Sequence, residues 1–289
     1  MPSIREYDNK LASLKNTRKM TKTMKMVSAG KLQKALIAQR NARLYAAKLS
    51  ELVSRLAASV DPSAHPLLQH RESVRRILVL LFTSDKGLCG GFNNNLIKFM
   101  DRWRLDQADR LEQIDFSFCG RRGYTYFKNR VRVRDYFEGL TQKPTFADAT
   151  HLGETLSESF LNGDYDEIYI AHNTFFSPLS QKPTLTKLLP FEPQEVMSGD
   201  EQAFSRDYIF EPKQEQLLEE LLPKIKYFKL YYTWLENAAG EHGARMTAMD
   251  NATRNADGMV GRYTLLRNRA RQAAITTELT EIISGAEAL

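Results

Sequence analysis

The chain has 289 residues, 42% of them apolar and 26% charged, with a net charge of +6. A sizeable core is therefore expected, in one large domain or two small ones, and the basic excess points to an acidic partner: nucleic acid, anionic lipid or an acidic protein surface. Two cysteines, Cys89 and Cys119, exclude a disulfide framework, and the longest strongly apolar run, Ile77 to Phe82, falls far short of the roughly 20 residues that span a bilayer. The opening stretch Met1 to Asp8 has no apolar signal core and carries acidic residues unsuited to a transit peptide, so a soluble, cytoplasmic, bacterial protein is expected.

The first 60 residues hold thirteen Lys and Arg against Glu6, Asp8 and Glu51. They read as one long helix. Apolar residues recur at Ile4, Tyr7, Leu11 and Leu14, weaken through Met20, Met24, Val27, Leu32 and Ala35, and return at Tyr45, Leu49, Leu52 and Leu56. No proline falls between Ser3 and Asp61, and Pro62 and Pro66 then stop the helix. So long a helix with so narrow a stripe needs a partner helix to cover it.

The middle of the chain alternates strand and helix. Arg76 to Phe82 predicts a buried strand, Asn93 to Arg110 a helix, Ile114 to Cys119 a strand and Arg121 to Asn129 a short helix. Val131 to Val133 follows as a brief strand, Phe146 to Leu161 as a helix and Asp166 to His172 as a strand, with Thr184 to Leu189 and Asp207 to Phe210 as edge strands. Such alternation implies a small, mostly parallel α/β domain.

From Leu221 onward, Ile225, Phe228, Tyr232, Leu235, Ala239, His242, Met246, Met249, Thr253, Ala256, Val260 and Tyr263 step by three or four. The phase then drifts through Ala270, Ala274, Leu279 and Ile282. Pro212 suits the start of this helix, and Pro223 is placed to bend its first turns. At 1.5 Å per residue the helix would reach on the order of 100 Å, longer than a globular domain of this mass contains. The expected architecture is therefore a long antiparallel coiled coil of N- and C-terminal helices plus a central Rossmann-like α/β domain, divided as 1–60, 61–211 and 212–289. Gly240 and Gly243 interrupt the last helix. Read as exposed helical glycines, each costs roughly 1 kcal/mol relative to alanine and would soften the helix there.

Three features invite chemistry. Thr83 to Asn93 is glycine-rich and lies between a strand and a helix, where phosphate loops sit, but it has neither G-x-x-x-x-G-K-[ST] nor G-x-G-x-x-G. A tight turn with close backbone packing is the plainer reading, and Cys89 reads as a buried structural thiol. The five histidines are scattered and form no ligand pairs, so no metal site is expected. The basic run Lys15 to Lys25 fits a solvated helix face, a nucleic-acid helix or docking on acidic protein loops. No aromatic residue between Tyr7 and Tyr45 is available to stack on bases.

Three stretches together resemble a known family. Ile4-Arg5 followed by Asn16-Thr-Arg-Lys-Met-Thr-Lys-Thr-Met-Lys-Met-Val27 resembles the first helix of F-type ATP synthase gamma subunits. Thr83-Ser-Asp-Lys-Gly-Leu-Cys-Gly-Gly-Phe-Asn93 is similar to their central-domain loop. Ala244-Arg-Met-Thr-Ala-Met249, Asn255-Ala256 and Arg271-Gln-Ala-Ala-Ile-Thr-Thr-Glu-Leu-Thr-Glu-Ile-Ile-Ser-Gly285 are similar to their last helix. The resemblance implies a non-catalytic rotor shaft inside a ring of alternating alpha and beta subunits, with catalysis on beta. It also implies epsilon and a ring of c subunits as partners, no cofactor, no nucleic acid, and a peripheral place on the cytoplasmic face of the bacterial membrane, reached only through the c ring. By the same resemblance Lys19, Lys22 and Lys25 face an acidic loop of beta, and Met24 matches the family's methionine beside it. Arg245, Arg271, Gln272, Thr276 and Glu278 match positions used in coupling. The stretch Phe191 to Phe210 lacks the cysteine-bearing insertion of chloroplast gammas, so thiol control of that kind is not expected. Two other readings stand beside this one: a basic coiled-coil nucleic-acid-binding protein, and an enzyme using the loop after Phe82.

Overall fold

The computed structural model describes residues 3–59, 65–71, 73–140, 144–192 and 214–287. The expected strand Asp207 to Phe210 and the prolines at 62 and 212 lie outside the described residues. The chain forms two compact units, one from Met1–Ala29 with Arg245–Leu289, the other from Gly30–Ala244.

The first helix, α1 (Ile4–Ser59), starts on a capping box. Ser3 Oγ accepts from the Glu6 amide, and Glu6 Oε2 accepts from the Ser3 amide. The last helix, α5 (Gln214–Glu287), contains Pro223 without ending there. In the unit made of the chain ends the two helices run antiparallel. The rings of Tyr7 and Tyr263 are 6.4 Å apart, Arg18 pairs with Asp257 at 2.9 Å, and Lys25 pairs with Asp250 at 2.5 Å.

The α5 side of this seam follows the expected step through Met246, Met249, Thr253, Ala256, Val260 and Tyr263, all buried or half-buried. The α1 side follows it at Ile4, Tyr7, Leu11, Leu14 and Met24 and departs from it at two positions. Met20 and Val27 are 65% and 55% exposed, while Thr21 is half-buried and Ser28 buried in their place. Polar residues occupy the covered face there, and the Thr253 hydroxyl donates to Thr21 Oγ1 at 2.8 Å. A count of apolar spacings slips by one position because the residues that meet the partner are hydroxyls.

The second unit is built on a five-stranded sheet in the order β3-β2-β1-β4-β5. It comprises β1 (Arg76–Phe82), β2 (Gln113–Cys119), β3 (Arg132–Phe137), β4 (Glu167–Ser177) and β5 (Ser180–Leu189). The first four are parallel and β5 is antiparallel to β4. Three further helices are α2 (Phe92–Gln107), α3 (Arg121–Phe127) and α4 (Phe146–Leu161). The central strand β1 is apolar from Ile77 to Phe82 because both its faces are covered there. Ile77, Val79 and Leu81 pack with Leu96 and Met100 of α2 and Phe127 of α3. Leu78, Leu80 and Phe82 pack with Leu152 and Leu156 of α4 and Leu230 and Trp234 of α5. Three strands extend past their expected spans. β3 runs to Phe137, β4 to Ser177 and β5 begins at Ser180, since β4 and β5 continue as a hairpin beyond the covered sheet.

Within this unit α1 and α5 also pair. Tyr45 and Phe228 rings lie 4.3 Å apart, and Leu49 joins Leu222 and Ile225 in a small cluster.

Gly240 and Gly243 are corrected by the structure, for the whole segment Asn237 to Ala244 is buried. A Cβ on Gly240 would stand 3.0 Å from Phe92 Cε2, and one on Gly243 would stand 3.0 Å from Pro178 Cα. These glycines let the sheet edge and the hairpin approach the helix backbone. Gly258, in the other unit, has nothing within 4 Å of a built Cβ. Gly258→Ala is expected to stabilise by about 0.5–1 kcal/mol, the helix-propensity gain. Gly243→Ala is expected to destabilise despite the same gain, since the Pro178 backbone must move. Chemical denaturation of the two variants checks the opposite signs.

Lys226 is 3% exposed, and its ammonium donates to Ser157 Oγ on α4. Burial pulls its pKa down from 10.5 to about 8, with Glu154 opposing. Below about pH 8 the folded chain holds a charge it would rather lose, while above 10.5 the amine is neutral folded or unfolded. The destabilisation is thus full at neutral pH and fades as pH rises across that window. Lys226→Met is expected to raise stability at pH 7 by up to roughly 3 kcal/mol, the size of the pKa displacement. The gain shrinks as unfolding is measured at rising pH.

Candidate functional site

The residues singled out from the sequence fall in the unit of chain ends. Lys19 and Lys22 are exposed on α1, Met24 is half-buried beside the seam, and Lys25 is held by Asp250. The basic face is therefore partly answered from within. Asp250 takes Lys25 and Arg254, Asp257 takes Arg18, and Asp8 lies 3.5 Å from Arg267. The Asp250 carboxyl is accordingly held below the usual carboxylate range, chiefly by its hydrogen bond from Lys25. Lys19 and Lys22 carry no ion pair among the described residues and present their charge outward.

On α5, Arg245 is 8% exposed, whereas Arg271, Gln272, Thr276 and Glu278 are all exposed. The Thr276 hydroxyl donates to the Gln272 carbonyl at 2.9 Å. The structure thus does not gather the nine residues into a pocket. It sets them along two paired helices, with Arg245 buried and the last four outermost.

The sequence pattern missed a further feature. Leu279 and Ile282 were expected to continue the seam, yet they are 54% and 68% exposed. Ile275 and Ile283 are exposed with them, at spacings that line one face of the helix. The reason is register. Tyr7 already meets Tyr263, so α1 begins near the level of Ala270 and nothing on it reaches the last four turns. From Arg271 to Ala286, every residue but the half-buried Ala274 is exposed.

The glycine-rich loop after β1 is tied by one side chain. Asn93 Oδ1 accepts from the Ser84 amide at 2.9 Å, and Asn93 Nδ2 donates to Ser84 Oγ and to Cys89 Sγ. A Cβ on Gly87 would lie 2.6 Å from Arg122 Nη2, and Gly90 has φ of 58°. The glycines answer close packing and a left-handed turn. Cys89 is buried against Phe92 and Ala244. A cavity of about 520 Å³ borders this loop.

A family model described as ATP synthase matches residues 3–289. Along its full length the chain is 44% identical to the ATP synthase gamma chain of Trichlorobacter lovleyi and 45% identical to that of Geobacter metallireducens, covering 99% of each. The chain belongs to the ATP synthase gamma-chain family. The gamma-chain fold is found again in solved structures. A chain of the Euglena gracilis mitochondrial ATP synthase, in its OSCP/F1/c-ring structure, aligns with a TM-score of 0.67 at 20% identity, over 99% of this chain and 94% of that one. One from the central stalk/c-ring structure of the Tetrahymena thermophila enzyme gives 0.58 at 22% identity, over 81% and 99%. Membership of the gamma-chain family leaves the nucleic-acid reading without support. Among the described residues no helix is long and apolar enough to cross a membrane.

The thiol of Cys119, the last residue of β2, is fully buried, and burial pushes its pKa far up, with Asp85 adding to the effect. Alkylating reagents at pH 8 are expected to leave Cys119 unmodified until the sheet unfolds. Mass spectrometry across a denaturant series checks this, and modification that precedes loss of the sheet would contradict it.

Proposed function

We propose that the chain is the non-catalytic shaft of the ATP synthase central stalk, turning inside a ring of alpha and beta subunits and joined below to epsilon and the c ring. One observation carries this reading beyond the family name. The last four turns of α5 display Ile275, Leu279, Ile282 and Ile283 with no cover from α1. An apolar helix face of this kind has to be covered by another surface, and a closed ring around the helix would supply one on every side. The exposed Lys19 and Lys22 add a second contact suited to acidic loops, where charge attraction acts at a distance and tolerates sliding.

In this role the chain does no bond-making. Ion flow turns the c ring and the shaft with it. A pair of unlike helices shows a different face to each beta subunit, so nucleotide affinity differs from site to site and is exchanged by rotation. That is a coupling free energy between distant sites, necessarily reciprocal, so hydrolysis drives the reverse turn. The named positions Met24, Lys25, Arg245, Arg271, Gln272, Thr276 and Glu278 are proposed as contact and coupling residues. The working place is the cytoplasmic face of a bacterial membrane, touched only through the c ring.

The test is assembly with alpha and beta subunits and measurement of ATP hydrolysis. The double variant Leu279→Ser, Ile282→Ser is expected to leave the stability of the free chain within about 0.5 kcal/mol, because both side chains face water there. In the assembled complex it is expected to lower turnover at least about twofold, as a buried apolar contact is lost. A chain that never enters an alpha–beta assembly, or a complex whose hydrolysis is indifferent to these changes and to loss of residues 271–289, would refute the reading.

A further inference from the structure

The sheet-bearing unit holds a second cavity, of about 420 Å³, at the amino ends of its parallel strands and so at the opposite end from the glycine-rich loop. Asp115 of β2 lies at its base with a side chain only 2% exposed. Its Oδ2 is well served. The Tyr165 hydroxyl donates at 2.6 Å, Gln113 Nε2 donates at 2.7 Å, and Arg132 Nε stands 3.7 Å away. Its Oδ1 is buried and has no hydrogen-bond partner among the described residues. Arg134 lines the same cavity, and its Nη1 is also buried without a partner among the described residues.

Arg134 is there through a backbone irregularity. The pairing of β2 with β3 steps from Phe116–Val133 to Ser117–Asp135, leaving Arg134 as the extra residue of a bulge. Bulges re-aim a side chain. Here the guanidinium lies 5.4 Å from the Tyr165 ring, and its Nε faces Asp135 at 3.4 Å. Asp115 and Arg134 both line this cavity, and an unpaired acceptor and an unpaired donor each cost free energy until something completes them. A ligand that completes both would offer a proton to Asp115 and an oxygen to Arg134.

Charge narrows the choice. Arg76, Arg132 and Arg134 all border the cavity, against buried Asp115 and the exposed Asp164. Guanidinium forks match oxyanions, so an anion fits better than a cation. Most anions have no proton to give at neutral pH. Sulfate and carboxylates have none, whereas HPO₄²⁻ keeps one P–OH. We propose that this cavity binds inorganic phosphate, with the P–OH donating to Asp115 Oδ1 and a phosphate oxygen accepting from Arg134 Nη1. The carboxylate then selects for the protonated oxyanion, and the arginines supply the attraction.

The test is calorimetric titration of the full-length chain in chloride buffer with phosphate, sulfate and AMP, backed by the shift of the unfolding midpoint with ligand. Phosphate is expected to bind at least about tenfold more tightly than sulfate, and Arg134→Gln to weaken it by about tenfold or more. Asp115→Asn puts a donor where the acceptor stood and is expected to bring phosphate and sulfate within about threefold of each other. AMP at about pH 8, its phosphate stripped of the last proton, is expected to bind more weakly than phosphate. Should Asp115→Asn fail to fold, the phosphate–sulfate comparison on the unaltered chain and the Arg134→Gln variant still decide. No phosphate binding at millimolar concentration, equal binding of sulfate or AMP to the unaltered chain, or undiminished binding by Arg134→Gln overturns the proposal.

Discussion

In the unit built from the chain ends, everything depends on one pairing, α1 against α5, and that pairing is unusually polar. A seam of leucines would have fixed it by burial alone. Here the Thr21–Thr253 hydroxyl contact and the ion pairs of Arg18 and Lys25 share the task with Leu11, Met249 and Ala256. Exposed ion pairs contribute little each, so the apolar positions set the stability and the polar ones set the register. Asp250 and Asp257 also decide which lysines and arginines of α1 remain to meet a partner. The outward charge of Lys19 and Lys22 is part of what that internal pairing leaves over.

In the sheet-bearing unit the governing constraint is close approach. Trp234 packs on Phe82 with ring centroids 5.5 Å apart, and Gly240 and Gly243 bring the helix backbone against Phe92 and Pro178. The helix is thus part of the sheet's core, covering one of its two faces. A buried lysine, Lys226, sits within the same contact at a cost to stability, while its ammonium is satisfied by Ser157.

Much of this was legible in the sequence, and the misses have physical causes. Ile77 to Phe82 announced a strand because burial on both faces leaves an unbroken apolar run. The α5 seam announced itself because its positions are apolar at helical spacing for many turns. Strand β3 was cut short because Arg132, Arg134 and Asp135 are half-covered or exposed and carry no apolar signal. The α1 seam was misplaced at Met20 and Val27 alone, because Thr21 and Ser28 take the covered positions there. The uncovered end of α5 was hidden because its exposure depends on where α1 begins opposite it, which spacing alone does not reveal. The Asp115–Tyr165 contact joins residues 50 apart in the chain, so no local pattern marks it. A charged residue inside an apolar strand was the one hint available.

The bulge at Arg134 has another consequence. A subunit waiting for its ring exposes two strand edges, β3 and β5, and an open edge is a template on which other chains aggregate. The kinked ladder and the charges of Arg132 and Asp135 spoil β3 for that purpose. On β5, Pro183 withholds an amide, with Lys182 beside it and Lys187 further along. Both edges of the sheet are therefore poor templates for strand addition by another chain.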